Sequence, residues 1–327
     1  MPSYAIMQNP GHNRVYFKAA RGLAMLELKY VPLSAPMLNL REEELGNIAY
    51  IIFDMESHLT EEDTLMLSRL SFVYAIFEWK SSALYPHKKN PGYFFGSDDI
   101  TSILKYNGKT NELFTRFMLN AAIFAGGFKI SDRLSVLDPL CGKGTSLFEA
   151  LLCSYNVYGV DTDAKMIHEA YTFLKKYLEN ARYKHSSHQE RQGMKAYTAQ
   201  RYQIKLTPLE AELIAGDTRD IGHFYRKNTF HIIMGDLPYG VQHSSKSKKE
   251  SRNAFPMLVE ALPGWHKVLK PGGVLALAWN LFLIDRQQMT DAIQSAGFTV
   301  CMNAAGDDFS HRVDQAINRD VIIGIKS

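Results

Sequence analysis

The chain has 327 residues, 46% apolar and 22% charged, with a formal net charge of +3. That length suits two domains with a sizeable core. No apolar run approaches the roughly 18–20 residues of a membrane span, and so small a net charge identifies no partner by itself. The opening MPSYAIMQNPGHN lacks the basic-then-apolar order of a secretory signal. Cys141, Cys153 and Cys301 are too few and too dispersed for a disulfide or zinc framework, so the expectation is a cytoplasmic chain that needs no metal.

The first 95 residues read as a small α+β domain. Strands are expected at Tyr4–Gln8, Ala49–Phe53 and Phe72–Trp79, and helices near 13–28 and 61–69. Thr60-x-x-Asp63 is a start signal for the second helix. Residues 85–100, with Pro86, Lys88, Lys89, Pro91 and Gly92, read as a linker to a second domain over 100–327. Thr110–Ala125 then forms an amphipathic helix. Leu113, Phe114, Phe117, Met118, Ala121 and Phe124 share one face, and Gly126-Gly127 end it.

From Leu134 onward, short apolar runs alternate with helical segments, the pattern of a mostly parallel sheet covered on both faces. The expected strands are Ser135–Asp138, Val157–Asp161, Glu212–Gly216, Phe230–Gly235 and Val274–Trp279. Two more lie near Phe298–Asn303 and Asp320–Ile325. Helices are expected at 145–153, 163–182, 254–268 and 285–296, with Lys270-Pro271-Gly272-Gly273 as a turn.

Two motifs carry chemistry. Asp138-Pro139-Leu140-Cys141-Gly142-Lys143-Gly144-Thr145 lies between a strand and a helix, where Gly142 and Gly144 let backbone approach a ligand closely. Asp161 ends the next strand, placed to accept two ribose hydroxyls, and Asp217 ends the third, placed to accept an amino group. Gly235-Asp236-Leu237-Pro238-Tyr239-Gly240 ends a later strand on the same sheet edge. There a carboxylate can hold an exocyclic amine, Pro238 stiffens the turn and Tyr239 offers a ring for stacking. A dinucleotide site is disfavoured by Leu147, where the fingerprint wants a small residue. A phosphate loop is disfavoured because Gly144 follows Lys143.

Positive charge is gathered in two places. Residues 175–205 hold eight Lys or Arg and two Glu, and residues 243–252 hold four and one. These segments carry +6 and +3, so the rest sums to about −6. The first is a basic insertion interleaved with tyrosines, and the second follows the acceptor motif directly; both suit phosphate contact and base stacking. Lys184, Arg191, Lys246 and Lys248 are the candidate nucleic-acid contacts, with Asn280 bordering the acceptor pocket. The charged cluster of Asp307, Asp308, His311, Arg312, Asp314, Arg319 and Asp320 reads as an ion-paired turn.

DPLCGKGTSLFEAL resembles the first motif of class I S-adenosylmethionine-dependent methyltransferases. With Asp236-Leu237-Pro238-Tyr239 it resembles, more narrowly, the RNA guanosine N2-type methyltransferases of transfer and ribosomal RNA, whose members carry D-P-x-C-G-x-G-T and D-x-P-Y. The resemblance covers about residues 100–327. It implies an α/β fold: a Rossmann-like seven-stranded methyltransferase sheet whose last strand is antiparallel, beside the smaller N-terminal α+β domain, which would select the RNA. It implies S-adenosylmethionine lined by Cys141, Gly142, Gly144 and Thr145, its amino group oriented by Asp138, its ribose by Asp161 and its adenine by Asp217 and Thr218. Thr110, Asn111 and Thr115 would reach its carboxylate. Asp236 would be the principal catalytic residue, with Pro238 and Tyr239. Asp rather than Asn at 236 leans toward guanosine over adenine N6, while Leu237 departs from the commoner Pro-Pro form. A DNA or RNA adenine-N6 methyltransferase and a non-catalytic nucleic-acid-binding protein of the same fold remain the alternatives.

Overall fold

The computed structural model describes every residue except 10–13, 82, 96–98, 107–108, 195–196, 239–253, 303–308 and 314, with backbone only for 14–21, 192–194, 197–198 and 302. The chain divides into two compact units, Met1–Gly92 and Tyr93–Ser327.

The first unit runs β1 (Ser3–Gln8), α1 (Arg14–Tyr30), β2 (Leu38–Leu45), β3 (Ile48–Asp54), α2 (Glu61–Arg69), β4 (Val73–Lys80) and β5 (Ala83–His87). Its five strands pair in the order β2-β3-β1-β4-β5, and the first four with their two helices follow the ferredoxin-like β-α-β-β-α-β arrangement. β2 and β3 are joined by Gly46-Asn47, whose φ angles of 60° and 62° are those of a tight hairpin turn. Thr60 caps α2 reciprocally with Asp63: the Thr60 hydroxyl accepts the Asp63 N–H at 3.0 Å and the Asp63 carboxylate accepts the Thr60 N–H at 2.9 Å. Residues 85–87, expected in a linker, are the end of strand β5. They pair with Ile76, Phe77 and Glu78 of β4.

The second unit runs α3 (Asp99–Ile103), α4 (Glu112–Ala125), β6 (Ser135–Asp138), α5 (Thr145–Leu152), β7 (Asn156–Asp161), α6 (Ala164–Asn180), β8 (Ser186–Met194), β9 (Tyr197–Leu206), β10 (Leu209–Ala215), a 3-10 turn (Thr218–Asp220), α7 (Ile221–Phe224), β11 (Phe230–Asp236), α8 (Phe255–Val268), β12 (Leu269–Asn280), α9 (Arg286–Ser295), β13 (Phe298–Met302), β14 (His311–Arg312) and β15 (Asn318–Lys326). The strands order as β13-β15-β12-β11-β6-β7-β10-β9-β8, with β14 beside β15. β12, β11, β6, β7 and β10 are parallel, and β15 is antiparallel to both β12 and β13. This is the Rossmann-like sheet with a reversed last strand, extended beyond the expected seven strands.

The extension is the basic insertion. β8 and β9 form an antiparallel hairpin laid along β10, from Leu209 opposite Leu206 to Ala215 opposite Gln200. Tyr202 and Ile204 of β9 point inward; Tyr202 packs on Tyr171 of α6 at a ring distance of 4.8 Å. The Lys270–Gly273 turn is absorbed into β12, where the pairing with β11 shifts register between Phe230 and Ile232. Central strands are apolar because both faces are covered. Leu137, Ile214, Ile233, Leu275, Leu277 and Ile322 are buried there with Trp265 and Trp279. The Trp279 indole donates to the Ile284 carbonyl at 2.8 Å, which makes this residue core rather than pocket.

Candidate active site

Loops following parallel strands gather at the carboxyl edge of the sheet. β11 lies directly beside β6, with Ile233 opposite Leu137, so the two motifs sit side by side at that edge.

The first motif is a turn between β6 and α5. Gly142 and Gly144 adopt φ of 51° and 87°, left-handed values that favour glycine. A Cβ on Gly144 would meet the Phe148 ring at 3.2 Å. One on Gly142 would meet only Met166 Sδ, at 3.9 Å. The Gly142 side is thus an open cradle. The turn is pinned to β7: the Cys141 N–H donates to the Val160 carbonyl at 3.0 Å and the Gly142 N–H to Asp161 Oδ2 at 2.8 Å. Asp161 Oδ1 accepts the Asp163 N–H at 2.8 Å. Burial raises the Asp161 carboxyl above its usual range, and these two N–H donors oppose the rise. Burial also pushes the Cys141 thiol up, so it is a neutral packing group.

Leu147 fits because the small residue lies on the neighbouring strand. A Cβ on Gly159 of β7 would stand 2.6 Å from Leu147 Cδ1 and 2.7 Å from Cys141 Sγ. Asp138, at the end of β6, is buried; it accepts the Ser146 hydroxyl and the Leu140 N–H, the latter at 2.9 Å. Burial outweighs those donors and pushes its carboxyl up to about 7, with the charges of Asp161 and Asp236 adding to the rise. Tyr106 closes over the turn: its hydroxyl meets Thr145 Oγ1 at 3.0 Å, and Lys143 Nζ lies 4.9 Å from its ring centre while pairing with Glu169 at 2.6 Å.

Asp217 follows β10 and caps the 3-10 turn, accepting the Arg219 N–H at 2.9 Å. The Arg219 guanidinium grips both its oxygens and holds its carboxyl below the usual range; it also reaches Glu260 at 3.0 Å. The buried Thr218 hydroxyl accepts the Trp265 indole N–H at 2.9 Å.

Asp236 ends β11. Its Oδ2 accepts the Thr110 hydroxyl at 2.8 Å and lies 3.5 Å from Arg319 Nη2. Leu237 turns inward, buried, with its N–H on the Ala278 carbonyl at 2.9 Å, while Pro238 is exposed. Tyr239, Lys246 and Lys248 lie outside the described residues.

Several residues expected at the ligand have other uses in the structure. Thr110, expected at the cofactor carboxylate, directs its hydroxyl to Asp236. Asn111 caps α4, accepting the Leu113 and Phe114 N–H groups, and the buried Thr115 donates to the Asn111 carbonyl. Asn280 is buried: its amide donates to the Ala316 carbonyl, and its oxygen accepts the Phe282 and Asn318 N–H groups. It holds the approach to β15. His311 packs on Phe114 at a ring distance of 5.0 Å, and burial lowers it to about 4, with the Arg319 charge contributing. Arg191 is exposed on β8 of the hairpin and Lys184 is exposed just ahead of it.

Arg319, beside Asp236, is the candidate site residue that sequence reasoning missed, having been grouped with an ion-paired turn. Topology, not a local motif, places it there: β15 runs antiparallel, so its start, not its end, lies at the carboxyl edge. The neighbouring Asp320 does form an ion pair, with Arg286 at 2.6 Å. Asp138, Asp161, Asp217 and Asp236 each end or closely follow a parallel strand at this edge, an arrangement suited to a ligand rich in hydroxyl, amino and cationic groups. Among the described residues, no group of three or more His, Cys, Asp or Glu side chains is placed to hold a metal ion, and no helix is long and apolar enough to cross a membrane.

Comparison with known proteins bears on this edge of the sheet. Residues 119–305 match the UPF0020 family, RMKL-like, methyltransferase domain. The tRNA (guanine(10)-N2)-dimethyltransferase of Methanothermobacter thermautotrophicus is 26% identical over 186 residues, which are 57% of this chain and 43% of that protein. TrmN from Thermus thermophilus aligns with a TM-score of 0.45 and 15% identity, over 88% of this chain and 59% of that one. An rRNA methylase from Streptococcus thermophilus aligns with a TM-score of 0.35 and 16% identity, over 60% and 87%. The chain thus spans less than half the length of its curated relative.

Proposed function

Because the chain belongs to the UPF0020 family of RMKL-like methyltransferase domains, we propose that it transfers a methyl group from S-adenosylmethionine to a guanosine base nitrogen of transfer or ribosomal RNA. The observation that carries this reading is Asp236 beside the glycine turn, with Ile233 of β11 opposite Leu137 of β6. The residues fit the cofactor: the open space at Gly142 admits its backbone-hugging part, and Asp138 and Asp161 supply acceptors for an ammonium and for ribose hydroxyls. Arg219 would share Asp217 with the adenine amino group. When bound, the cofactor supplies an electrophilic methyl group on a sulfonium centre.

The protein's own contribution is positioning, which can account for most of the acceleration when the electrophile is already reactive. Asp236 would accept hydrogen bonds from the guanine amine and hold its nitrogen toward the methyl group. Pro238 and Tyr239 would flank the base, extruded from its stack as enzymes acting on bases require. The N2-dimethyltransferase relative favours the exocyclic amine as the acceptor. The first unit and the hairpin arm, with Lys184 and Arg191, would contact the RNA, and the sparse, dispersed cysteines suit a cytoplasmic setting.

Mass spectrometry of RNA nucleosides from cells with and without the gene tests the proposal. A methylated guanosine should disappear without the gene and return with the wild-type protein, but not with Asp236→Ala. Calorimetry should show Asp236→Ala binding S-adenosylmethionine within about threefold of wild type, since its carboxylate serves the acceptor side. An unchanged nucleoside profile would overturn the reading.

A further inference from the structure

Asp236 is held from two directions by segments far apart in the chain. Thr110, just ahead of α4, donates its hydroxyl to Oδ2 at 2.8 Å; Arg319, near the start of β15, brings Nη2 within 3.5 Å of the same oxygen. The Arg319 side chain is 5% exposed and that of Asp236 is 17% exposed. The cation therefore lies behind the carboxylate, on the protein side. Its guanidinium stacks on Phe114 at 4.3 Å from the ring centre. Phe114 is itself fixed in the first turn of α4, where its N–H is capped by Asn111.

A buried guanidinium is costly unless its charge is matched by a carboxylate. Arginine also keeps its charge at any working pH. The sheet has thus placed a permanent cation beneath the carboxylate at the tip of β11, from a strand two positions away in the sheet. A free aspartate turns about two side-chain bonds and would sample several rotamers. Two anchors on one oxygen, one a directed hydroxyl and one a stacked planar cation, remove that freedom.

We propose that Arg319 is a positioning residue which, with Thr110, fixes the Asp236 carboxylate in the orientation that receives the acceptor base. This rests on the reading of Asp236 as the residue that holds the acceptor. Arg319 touches neither cofactor nor base; it acts through Asp236. Displacement of a catalytic group by about 1 Å can cost about a hundredfold in rate. The effect therefore belongs in kcat more than in cofactor affinity.

The experiment uses the full chain, labelled S-adenosylmethionine, and RNA extracted from cells lacking the gene. Arg319→Met should lower kcat by about a hundredfold while the cofactor dissociation constant stays within about threefold. Arg319→Lys, which keeps the charge but loses the planar fork, should recover part of that loss. Thr110→Val, nearly isosteric, should lower kcat by about tenfold, the loss of one hydrogen bond. In an Asp236→Asn background, Arg319→Met should add little, because both changes remove the same interaction. Wild-type kcat in Arg319→Met, or full additivity with Asp236→Asn, overturns the proposal. If Arg319→Met does not fold, wild-type kcat in Thr110→Val overturns it instead. If Asp236→Asn itself transfers methyl groups at the wild-type rate, the reading of Asp236 fails first; if that variant is crippled and Arg319→Met is not, only the positioning role fails.

Discussion

Asp138 and His311 illustrate how single buried groups give this site a pH signature. Burial lifts the Asp138 carboxyl from 3.8 to about 7. Between those values the folded chain keeps a proton that the unfolded chain has released, so stability falls as pH rises and levels off above about 7. His311 acts in the opposite sense. It is lowered from 6.5 to about 4, so between those values the unfolded chain holds the extra proton and stability rises with pH. The two effects oppose each other in mildly acidic solution, and Asp138 dominates near neutrality. Asp138→Asn, which can still accept the Leu140 N–H, should raise the urea midpoint at about pH 8 and leave it unchanged near pH 4. Equal gains at both pH values would show that burial does not govern this carboxyl. If Asp138 receives the cofactor ammonium, cofactor affinity should strengthen as pH rises through about 7, with proton release visible by calorimetry in buffers of different ionisation enthalpy.

At the scale of elements, what was legible followed from burial. β6, β7, β10 and β11 read directly as strands because covered central strands are apolar throughout, α2 as a helix because Thr60 with Asp63 signals its start, and α4 because its apolar residues share one face. β2 (LNLREEEL) and β8 (SSHQERQGM) were not legible. Each is a sheet-edge strand, and polar side chains there resemble loop composition. In the candidate site, the strand-end positions of Asp138, Asp161 and Asp236 were legible. It was not legible where the chain reverses, because the start of an antiparallel strand at the same edge has no local motif. Hence Arg319 was hidden, and so was the use of Thr110. The hairpin of β8 and β9 carries the prediction at this scale. Arg191 and Lys205 are exposed on it, and Lys184 is exposed just ahead of it. Lys184→Glu with Arg191→Glu should weaken RNA binding and lower its salt dependence by about one unit of log–log slope for each phosphate no longer neutralised. S-adenosylmethionine affinity should not change. An unaltered salt slope would remove the hairpin from the RNA-binding surface.

The described residues join a ferredoxin-like unit to a ten-stranded α/β unit that contains the entire carboxylate edge. A chain of residues 93–327 should therefore bind S-adenosylmethionine about as tightly as the full chain and bind RNA much more weakly. Equal RNA affinity of the two chains would assign substrate choice to the second unit alone. The hairpin also relocates the rim of the large sheet. Without it, β10, the strand leading to Asp217, would be an outer strand. With it, every β10 residue from Leu209 to Ala215 has a partner in β9, and Ala211 to Ala215 have partners in β7 as well. In deuterated water, the amides of β10 should be among the last to exchange and the outward-facing amides of β8 among the first. The arm that would reach for RNA thus also takes the fraying that would otherwise fall on the strand leading to Asp217, the proposed adenine contact.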